Sequence, residues 1–219
     1  MDVNWDGITR AESLSDEAVQ RRGALADAAK RHDWAVVLDL LAQNPDWINA
    51  TRLGGTSLYT PLHQAAHGGA PADIVGRLIG LGALRTIRNA RGERPVDVAA
   101  MRGHQHLIDV LAPQIKHRVP LDALLEIQAH FHAVILDSVG DLVKEHALRL
   151  PELEPLLELD PPEMWFPVLG MHGGFSYRLA TTGADALLIS ESWSRVVWGS
   201  GQRHEITSAG SRLVEEGFV

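Results

Sequence analysis

The stretch Thr60-Pro61-Leu62-His63-Gln64-Ala65-Ala66-His67-Gly68-Gly69 predicts a short helix whose start and end are both marked. Thr60 is a good N-cap, because its hydroxyl oxygen can accept a hydrogen bond from an amide of the first turn. Pro61 suits the first helical position, where no intrahelical donor is lost. The alanines allow close helix packing, and Gly68 is expected to take the left-handed conformation that ends the helix.

The same pattern recurs along the first half of the chain. Leu62-His63-Gln64-Ala65-Ala66 is echoed by Val96-Asp97-Val98-Ala99-Ala100, and the prolines that precede them, Pro61 and Pro95, are separated by 34 residues. Apolar residues at helical spacing follow each block, namely Ile74, Val75, Leu78 and Ile79 after the first, and Leu107, Ile108, Val110 and Leu111 after the second. A more degenerate copy carries Leu25, Ala28, Ala29, Val37, Leu38, Leu40 and Leu41. We therefore predict three helix-turn-helix repeats between about Gly23 and Pro113.

The segment from Thr60 to Gly69, with Leu81-Gly82-Ala83 after it, resembles the ankyrin repeat almost position by position. The resemblance implies a helical solenoid of about three repeats, with the degenerate first copy as its terminal cap. It also implies a protein-interaction scaffold that binds through loops called fingers and through its inner helices. By the same resemblance, His63 hydrogen-bonds neighbouring loop backbone rather than acting in catalysis.

The resemblance places candidate contact residues in two fingers and on the inner helices. These are Arg52, Leu58 and Tyr59 in the first finger, Arg88 and Arg91 in the second, and Gln64, His67 and Arg102 on the inner helices. Together with Arg85, the second finger is basic, which makes an acidic peptide a candidate ligand. Under the alternative interpretation, Tyr59 only covers the seam between two repeats and the second finger is an ordinary solvated loop.

Residues 117–219 have a different pattern and are predicted to form a second domain, with residues 1–116 as the repeat domain and its N-terminal cap. Apolar residues at helical spacing from Leu121 to Leu148 predict one long helix, or two broken near Gly140, that caps the third repeat. The prolines and glycines from Pro151 to Gly174 predict a linker or irregular lobe. Strands are predicted at 175–179, 186–190, 194–198, 203–207 and 212–214, with hairpin turns at Thr182-Gly183 and at Gly199-Ser200-Gly201. The predicted fold class is α+β, a helical solenoid followed by a capping helix and a small antiparallel sheet.

Parts of this second half resemble a tail often joined to bacterial ankyrin repeats. The resemblance is carried by the runs Met164-Trp165-Phe166-Pro167-Val168, Gly173-Gly174-Phe175, Ser190-Glu191-Ser192-Trp193 and Gly201-Gln202-Arg203-His204. It implies no known chemistry.

Aromatic and histidine residues suggest an alternative function for this half, as a small-molecule binding protein or an enzyme of acid-base or cyclisation chemistry. The candidate pocket consists of Trp165, Phe166, Trp193 and Trp198, and the candidate catalytic residues are His130, His172, Tyr177, Glu191 and His204. An ordinary aromatic core explains the same residues. His130 and His132 point roughly 200° apart on a helix, so they do not form a metal pair, and we predict no metal or cofactor. Nucleophile elbow, phosphate loop and dinucleotide fingerprint are all missing from the sequence.

Charge and composition limit the remaining function classes. The net charge is −8 without any Lys/Arg block, which argues against nucleic acid as a partner. Without cysteines the chain has neither disulfides nor Cys-based zinc sites. Its first 22 residues lack the apolar region of a signal peptide and no segment has the length to span a bilayer, so we expect a cytoplasmic protein that does not bind membranes. The preference for arginine over lysine hints at a bacterial source, and the acidic charge also fits an immunity or antitoxin-like inhibitor of a basic partner.

Overall fold

A computed structural model describes residues 3–194 and 201–217 of the chain. Their packing divides the protein into two compact units. Residues from Ile8 to Gln114 form a helical unit. The second, the sheet unit, combines the residues up to Gly7 with those from Ile115 onward. The sequence-based boundary had placed the first residues with the helices, whereas the backbone of Val3 and Trp5 is bonded to Trp165 of the sheet.

The helical unit consists of three helix-turn-helix pairs. They are α1 (Asp16–Lys30) with α2 (Trp34–Gln43), α3 (Pro61–Gly68) with α4 (Ala72–Gly80), and α5 (Pro95–Met101) with α6 (Ile108–Leu111). Helix α3 lies in the middle and packs against both α1 and α5. Its alanines Ala65 and Ala66 are fully buried, and so is Leu62, so one apolar core runs through all three pairs.

The ends of α3 follow from its sequence, with one correction. The Thr60 hydroxyl accepts from the His63 amide at 3.4 Å, and the same hydroxyl lies 2.9 Å from His63 Nδ1, so Thr60 is the predicted N-cap. The left-handed residue that ends the helix is Gly69, with φ of 64°, and not Gly68, which is still helical. The helix therefore runs one residue longer than the sequence predicted.

Removing the Thr60 hydroxyl is expected to destabilise the helical unit. The side chain is only 1% exposed, so Thr60→Ala loses a buried cap and should lower the free energy of unfolding by about 1–2 kcal/mol in urea titrations. Ser15 caps the more exposed start of α1, accepting from the Ala18 amide at 3.3 Å, so Ser15→Ala is the matched control with a smaller loss. Equal losses for the two variants would show that burial of the Thr60 cap does not increase its contribution to stability.

The sheet unit is a five-stranded antiparallel meander with one long helix. Helix α7 (Leu121–His146) consists of two helical segments joined by a kink at Val139, one position from the predicted break near Gly140. The strands are β1 (Glu163–Val168), β2 (Gly173–Thr181), β3 (Leu187–Ser194), β4 (Gln202–Thr207) and β5 (Gly210–Glu216), and each pairs with the next. The α+β class and the antiparallel sheet are therefore present. Whether α7 caps the third repeat stays a prediction.

Strand β1 corrects the predicted linker from Pro151 to Gly174. The Trp165 amide donates to the Val3 carbonyl at 2.9 Å, and the Trp165 carbonyl accepts from the Trp5 amide at 2.8 Å. Alternate residues of a strand direct their backbone groups to the same side, so residue 167 faces the same side as Trp165. The N–H that Pro167 lacks would therefore have pointed away from β2. The proline is thus compatible with the β1–β2 ladder. Of the strand predicted at 194–198, Ser194 ends β3, and residues 195–198 lie outside the described residues, as do Gly199 and Ser200 of the predicted turn.

The core of the sheet unit lies between α7 and one face of the sheet. Phe131 of α7 packs on Phe175 and Tyr177 of β2, with ring centroids 6.4 and 5.0 Å away, and Phe166 of β1 stacks near Phe175 at 6.5 Å. All four side chains are fully buried. Within the described residues, none of the helices has both the length and the apolar character that crossing a bilayer requires.

Acid is expected to destabilise the sheet unit through His132 of α7. Its Nε2 donates to the Pro151 carbonyl at 2.7 Å, and burial, the largest effect, lowers the pKa of the imidazole below its usual 6.5. The folded state then binds fewer protons than the unfolded state, so stability is kept above about pH 6.5 and lost as the pH falls below it. Urea unfolding at pH 7.5 and 5.5 should show this loss in the natural chain and a smaller loss in His132→Gln. A loss of the same size in both proteins would show that titratable groups other than His132 cause it.

Candidate functional site

An open groove of about 560 Å³ lies within the helical unit. Its walls come from the end of α1, the loop before α3, the exposed side of α3, the loop before α5 and the end of α5. We call it the basic groove, and its lining residues are Lys30, His32, Thr56, Ser57, Tyr59, Gln64, His67, Asn89, Ala90, Arg91 and Arg102. The contact residues predicted at Tyr59, Gln64, His67, Arg91 and Arg102 are therefore brought together on one surface.

The charge of the basic groove is opposite to that of the whole protein. Lys30, Arg91 and Arg102 are cations, and His32 and His67 can become cations, whereas none of the described residues that line the groove is acidic. The chain as a whole carries a formal charge of −8. The groove is thus a concentrated positive region on an acidic protein, and such a region favours an anionic ligand.

A smaller pocket of about 130 Å³ continues the basic groove toward α1. The two share Lys30, Ser57, Tyr59 and Gln64. The wall of this pocket is more apolar than that of the groove, and its apolar atoms come from Leu25, Ala26, Ala29, Ala50 and Pro61. A ligand in the groove can therefore place an apolar group in the adjoining pocket.

Hydrogen bonds hold the two loops of the groove together. The Ala90 amide donates to the Ser57 carbonyl at 3.0 Å, which links the second loop to the first. The Asn89 side-chain oxygen accepts from the amides of Arg91 and Glu93 at 2.8 and 3.0 Å. His63, buried at the start of α3, donates through Nε2 to the Glu93 carbonyl at 3.2 Å, as the resemblance implied. The two loops of the groove are thus fixed to each other and to the start of α3.

The surroundings of Tyr59 fit both interpretations of its position in the sequence. Its ring stacks on His63 at a centroid distance of 5.4 Å and meets the edge of His67 at 5.9 Å. It packs on the apolar core of the helical unit and also lines the groove and the pocket. The two interpretations are therefore compatible.

The three other predicted contact residues differ in their surroundings. Arg52 lines the apolar pocket, but its guanidinium forms an ion pair with Asp27 at 2.5 Å. The hydrogen bond from Arg52 is the largest effect that lowers the pKa of the Asp27 carboxyl, so this pair is charged and mutually compensated. Arg88 donates to the Gly92 carbonyl at 2.7 Å, and Leu58 has a left-handed backbone with φ of 53°. Neither Arg88 nor Leu58 is among the residues that line the groove or the pocket.

Sequence reasoning missed part of the groove, namely Lys30, His32, Thr56, Ser57, Asn89 and Ala90. A signal for one of them was present. His32, His67 and Arg102 are spaced 35 residues apart, close to the distance between Pro61 and Pro95, so they occupy equivalent positions in successive helix pairs. A basic or titratable residue that recurs at the repeat spacing predicts a stripe along one surface of the stack.

The structure does not bring the five candidate catalytic residues into one site. Tyr177 is fully buried and donates to Met164 Sδ at 3.5 Å, and burial, followed by the charge of Glu152, raises the pKa of its hydroxyl well above 10. Glu191 is on the opposite sheet face, where Arg203 donates to it at 2.6 Å. His204 is two strands away from Tyr177, and burial lowers the pKa of its imidazole.

The two remaining histidines of that set are placed elsewhere in the sheet unit. His130 donates from α7 to the Ser208 carbonyl at 3.3 Å. His172 is in the turn between β1 and β2, with φ of 50°. Within the described part of the chain, no three His, Asp or Glu side chains are arranged to hold a metal ion.

The aromatic candidates are also separated, because consecutive strand residues point to opposite faces. Phe166 is in the core, whereas Trp165 faces outward and lines a depression of about 420 Å³ at the sheet edge. Trp193 is 36% exposed, and Trp198 lies outside the described residues. The depression is lined by Val3, Leu159, Asp160, Pro161, Glu163, Met164, Trp165 and Ser176, without any of the candidate catalytic residues. The described aromatic candidates therefore do not line one pocket together.

No protein-family model matches the chain. It is 29% identical over 174 residues to squamosa promoter-binding-like protein 6 of Oryza sativa subsp. japonica, a match that covers 71% of this chain but spans only 18% of that protein. Among solved structures, it is similar to the complex of the predatory endopeptidase Bd0816 from Bdellovibrio bacteriovorus with the immunity protein Bd3460. That similarity has a TM-score of 0.36 and 25% sequence identity, and it covers 55% of this chain and 66% of the matched chain.

Proposed function

We propose that this protein is an interaction scaffold of the ankyrin type, and that its basic groove binds an acidic segment of a partner protein. The observation that carries the proposal is the lining of the groove, in which Lys30, Arg91 and Arg102 occur and none of the described lining residues is acidic. The repeat signature around Thr60 and the three helix pairs support the ankyrin part.

For a ligand in the groove, the charges that line the groove have a larger effect than the net charge of the protein. At physiological ionic strength, charges separated by more than about 8 Å are largely screened. A carboxylate in the groove is therefore governed by the cations that line it and only weakly by the total charge of −8. Hydrogen bonds from guanidinium to carboxylate are charge-assisted, which makes Arg91 and Arg102 the main contributors to affinity.

The adjoining pocket adds a requirement for the partner. Its volume of about 130 Å³ and its mainly apolar wall suit one aliphatic side chain. The partner segment is therefore expected to combine acidic residues with a leucine-like anchor, a combination that also gives the interface a desolvated centre.

Reversing two charges of the groove tests the proposal. We expect Arg91→Glu with Arg102→Glu to weaken the binding of a fluorescein-labelled peptide rich in Glu, with one Leu, by at least about tenfold, because like charges then oppose each carboxylate. Fluorescence anisotropy at 0.05 and 0.3 M NaCl should also show weaker binding of the natural chain at the higher salt.

The matched control makes the same change in net charge at two positions outside the groove. Arg77 lies exposed on α4 and Arg118 lies exposed before α7, and neither lines the groove. Arg77→Glu with Arg118→Glu is expected to bind the peptide within about twofold of the natural chain, since screened charges contribute little. If the two double variants bind the peptide equally, the groove is not the binding surface.

A further inference from the structure

One contact in the basic groove requires a particular protonation state. The Arg102 guanidinium donates a hydrogen bond to Nε2 of His67. Arginine has only donors, so the imidazole must accept, and an imidazole nitrogen can accept only when it carries no proton. In this arrangement, His67 is therefore neutral.

The groups nearest His67 are basic or uncharged. His32 follows the end of α1, Arg102 and His104 follow the end of α5, and Lys30 and Arg91 line the same groove. His104 donates through Nε2 to the His67 carbonyl at 3.2 Å, and the uncharged ring of Tyr59 is in edge contact with the His67 ring. Burial, followed by Arg102, His32 and His104, lowers the pKa of His67. An anion beside the imidazole would oppose these effects and favour the protonated state.

We propose that a carboxylate of the acidic partner segment binds between Arg102 and His67 together with one proton from solvent. In this step the Arg102 N–H leaves His67 Nε2 and donates to one carboxylate oxygen. The proton from solvent binds Nε2, which then donates to the carboxylate. The only covalent bonds that change are the new N–H bond at His67 Nε2 and the solvent O–H bond from which its proton comes. The inference rests on the proposed function, because it needs an acidic ligand in the groove.

Proton uptake makes the affinity depend on pH in a defined direction. A site that takes up one proton on binding gains at most about tenfold in affinity for each unit that the pH falls. The gain is expected between the raised pKa of the bound His67 and its lowered pKa in the free protein. Glutamate side chains of the ligand stay ionised down to about pH 5, so they do not titrate in this range.

The test compares peptide binding by three full-length proteins at pH 8.0, 7.0 and 6.0. His67→Gln keeps an oxygen that can accept from Arg102 but cannot take up the proton. His106→Gln is the matched control, because His106 donates to the Ala70 carbonyl at 3.2 Å and does not line the groove. The probe is the labelled Glu-rich peptide. From pH 8.0 to 6.0, the natural chain and His106→Gln are expected to gain about tenfold more affinity than His67→Gln.

The possible results distinguish proton uptake at His67 from binding of the acidic segment. Equal gains for the natural chain and His67→Gln would overturn the proton uptake at His67 and leave the binding function in place. Absence of peptide binding at every pH would overturn the binding function, and the present inference with it. A second measurement needs no variant: the Cε1–H resonance of His67, followed by NMR, should titrate at higher pH when the peptide is bound. An unchanged titration would also overturn the inference.

Discussion

Replacing Trp5 by alanine is expected to destabilise the sheet unit by about 3–5 kcal/mol, the cost of removing a large buried aromatic side chain. Trp5 is 2% exposed, its Nε1 donates to the Arg149 carbonyl at 2.9 Å, and the Arg149 guanidinium lies 4.8 Å from its ring centroid. Its own amide and the carbonyl of Val3 are hydrogen-bonded to Trp165 of β1. Amide hydrogen exchange should show faster exchange in β1 and β2.

The control for Trp5 is a tryptophan of the same unit with a different environment. Trp193 on the outer sheet face is 36% exposed, so Trp193→Ala should cost about 1 kcal/mol or less. Unchanged exchange of β1 in Trp5→Ala would contradict the assignment of the first residues to the sheet unit.

Replacing Phe131 by alanine is expected to cost about 3–5 kcal/mol as well, because it leaves a cavity between α7 and the sheet. Phe131 is fully buried and is in ring contact with both Phe175 and Tyr177. Urea unfolding followed by circular dichroism measures the loss. Leu125 on the same helix is 54% exposed, so Leu125→Ala should stay within about 0.5 kcal/mol of the natural chain. Comparable losses at the two positions would show that α7 does not pack on the sheet through Phe131.

The helical unit could be predicted closely because its signals are local. A cap such as Thr60, the proline after it and the glycine that ends the helix act within one or two turns, and the pattern repeats. Even the error of one residue, Gly69 in place of Gly68, lies within the usual uncertainty of a helix end.

Strand β1 could not be predicted in the same way, because its pairing is not local. One neighbour, the segment from Val3 to Trp5, is about 160 residues away in the sequence. The prolines around it are typical of a linker, and only the free side of the strand makes Pro167 acceptable.

The candidate sites illustrate the same difference. Trp165 and Phe166 are neighbours in sequence but lie on opposite faces of the sheet, so these two side chains do not line one pocket. The cations of the groove are scattered from Lys30 to Arg102, and only the stacking of equivalent helix positions brings them together. The repeat spacing was in the sequence, but the charge of the surface it creates emerges only when the helices pack.

The most direct test of the proposed function is a map of backbone amide shifts when the full chain is titrated with the Glu-rich, Leu-containing peptide. We expect the largest changes at Ser57, Tyr59, Gln64, His67 and Arg102, which line the groove. Changes confined to the sheet unit, or none at peptide concentrations near 1 mM, where binding would be worth only about 4 kcal/mol, would contradict the proposal that the basic groove binds an acidic partner.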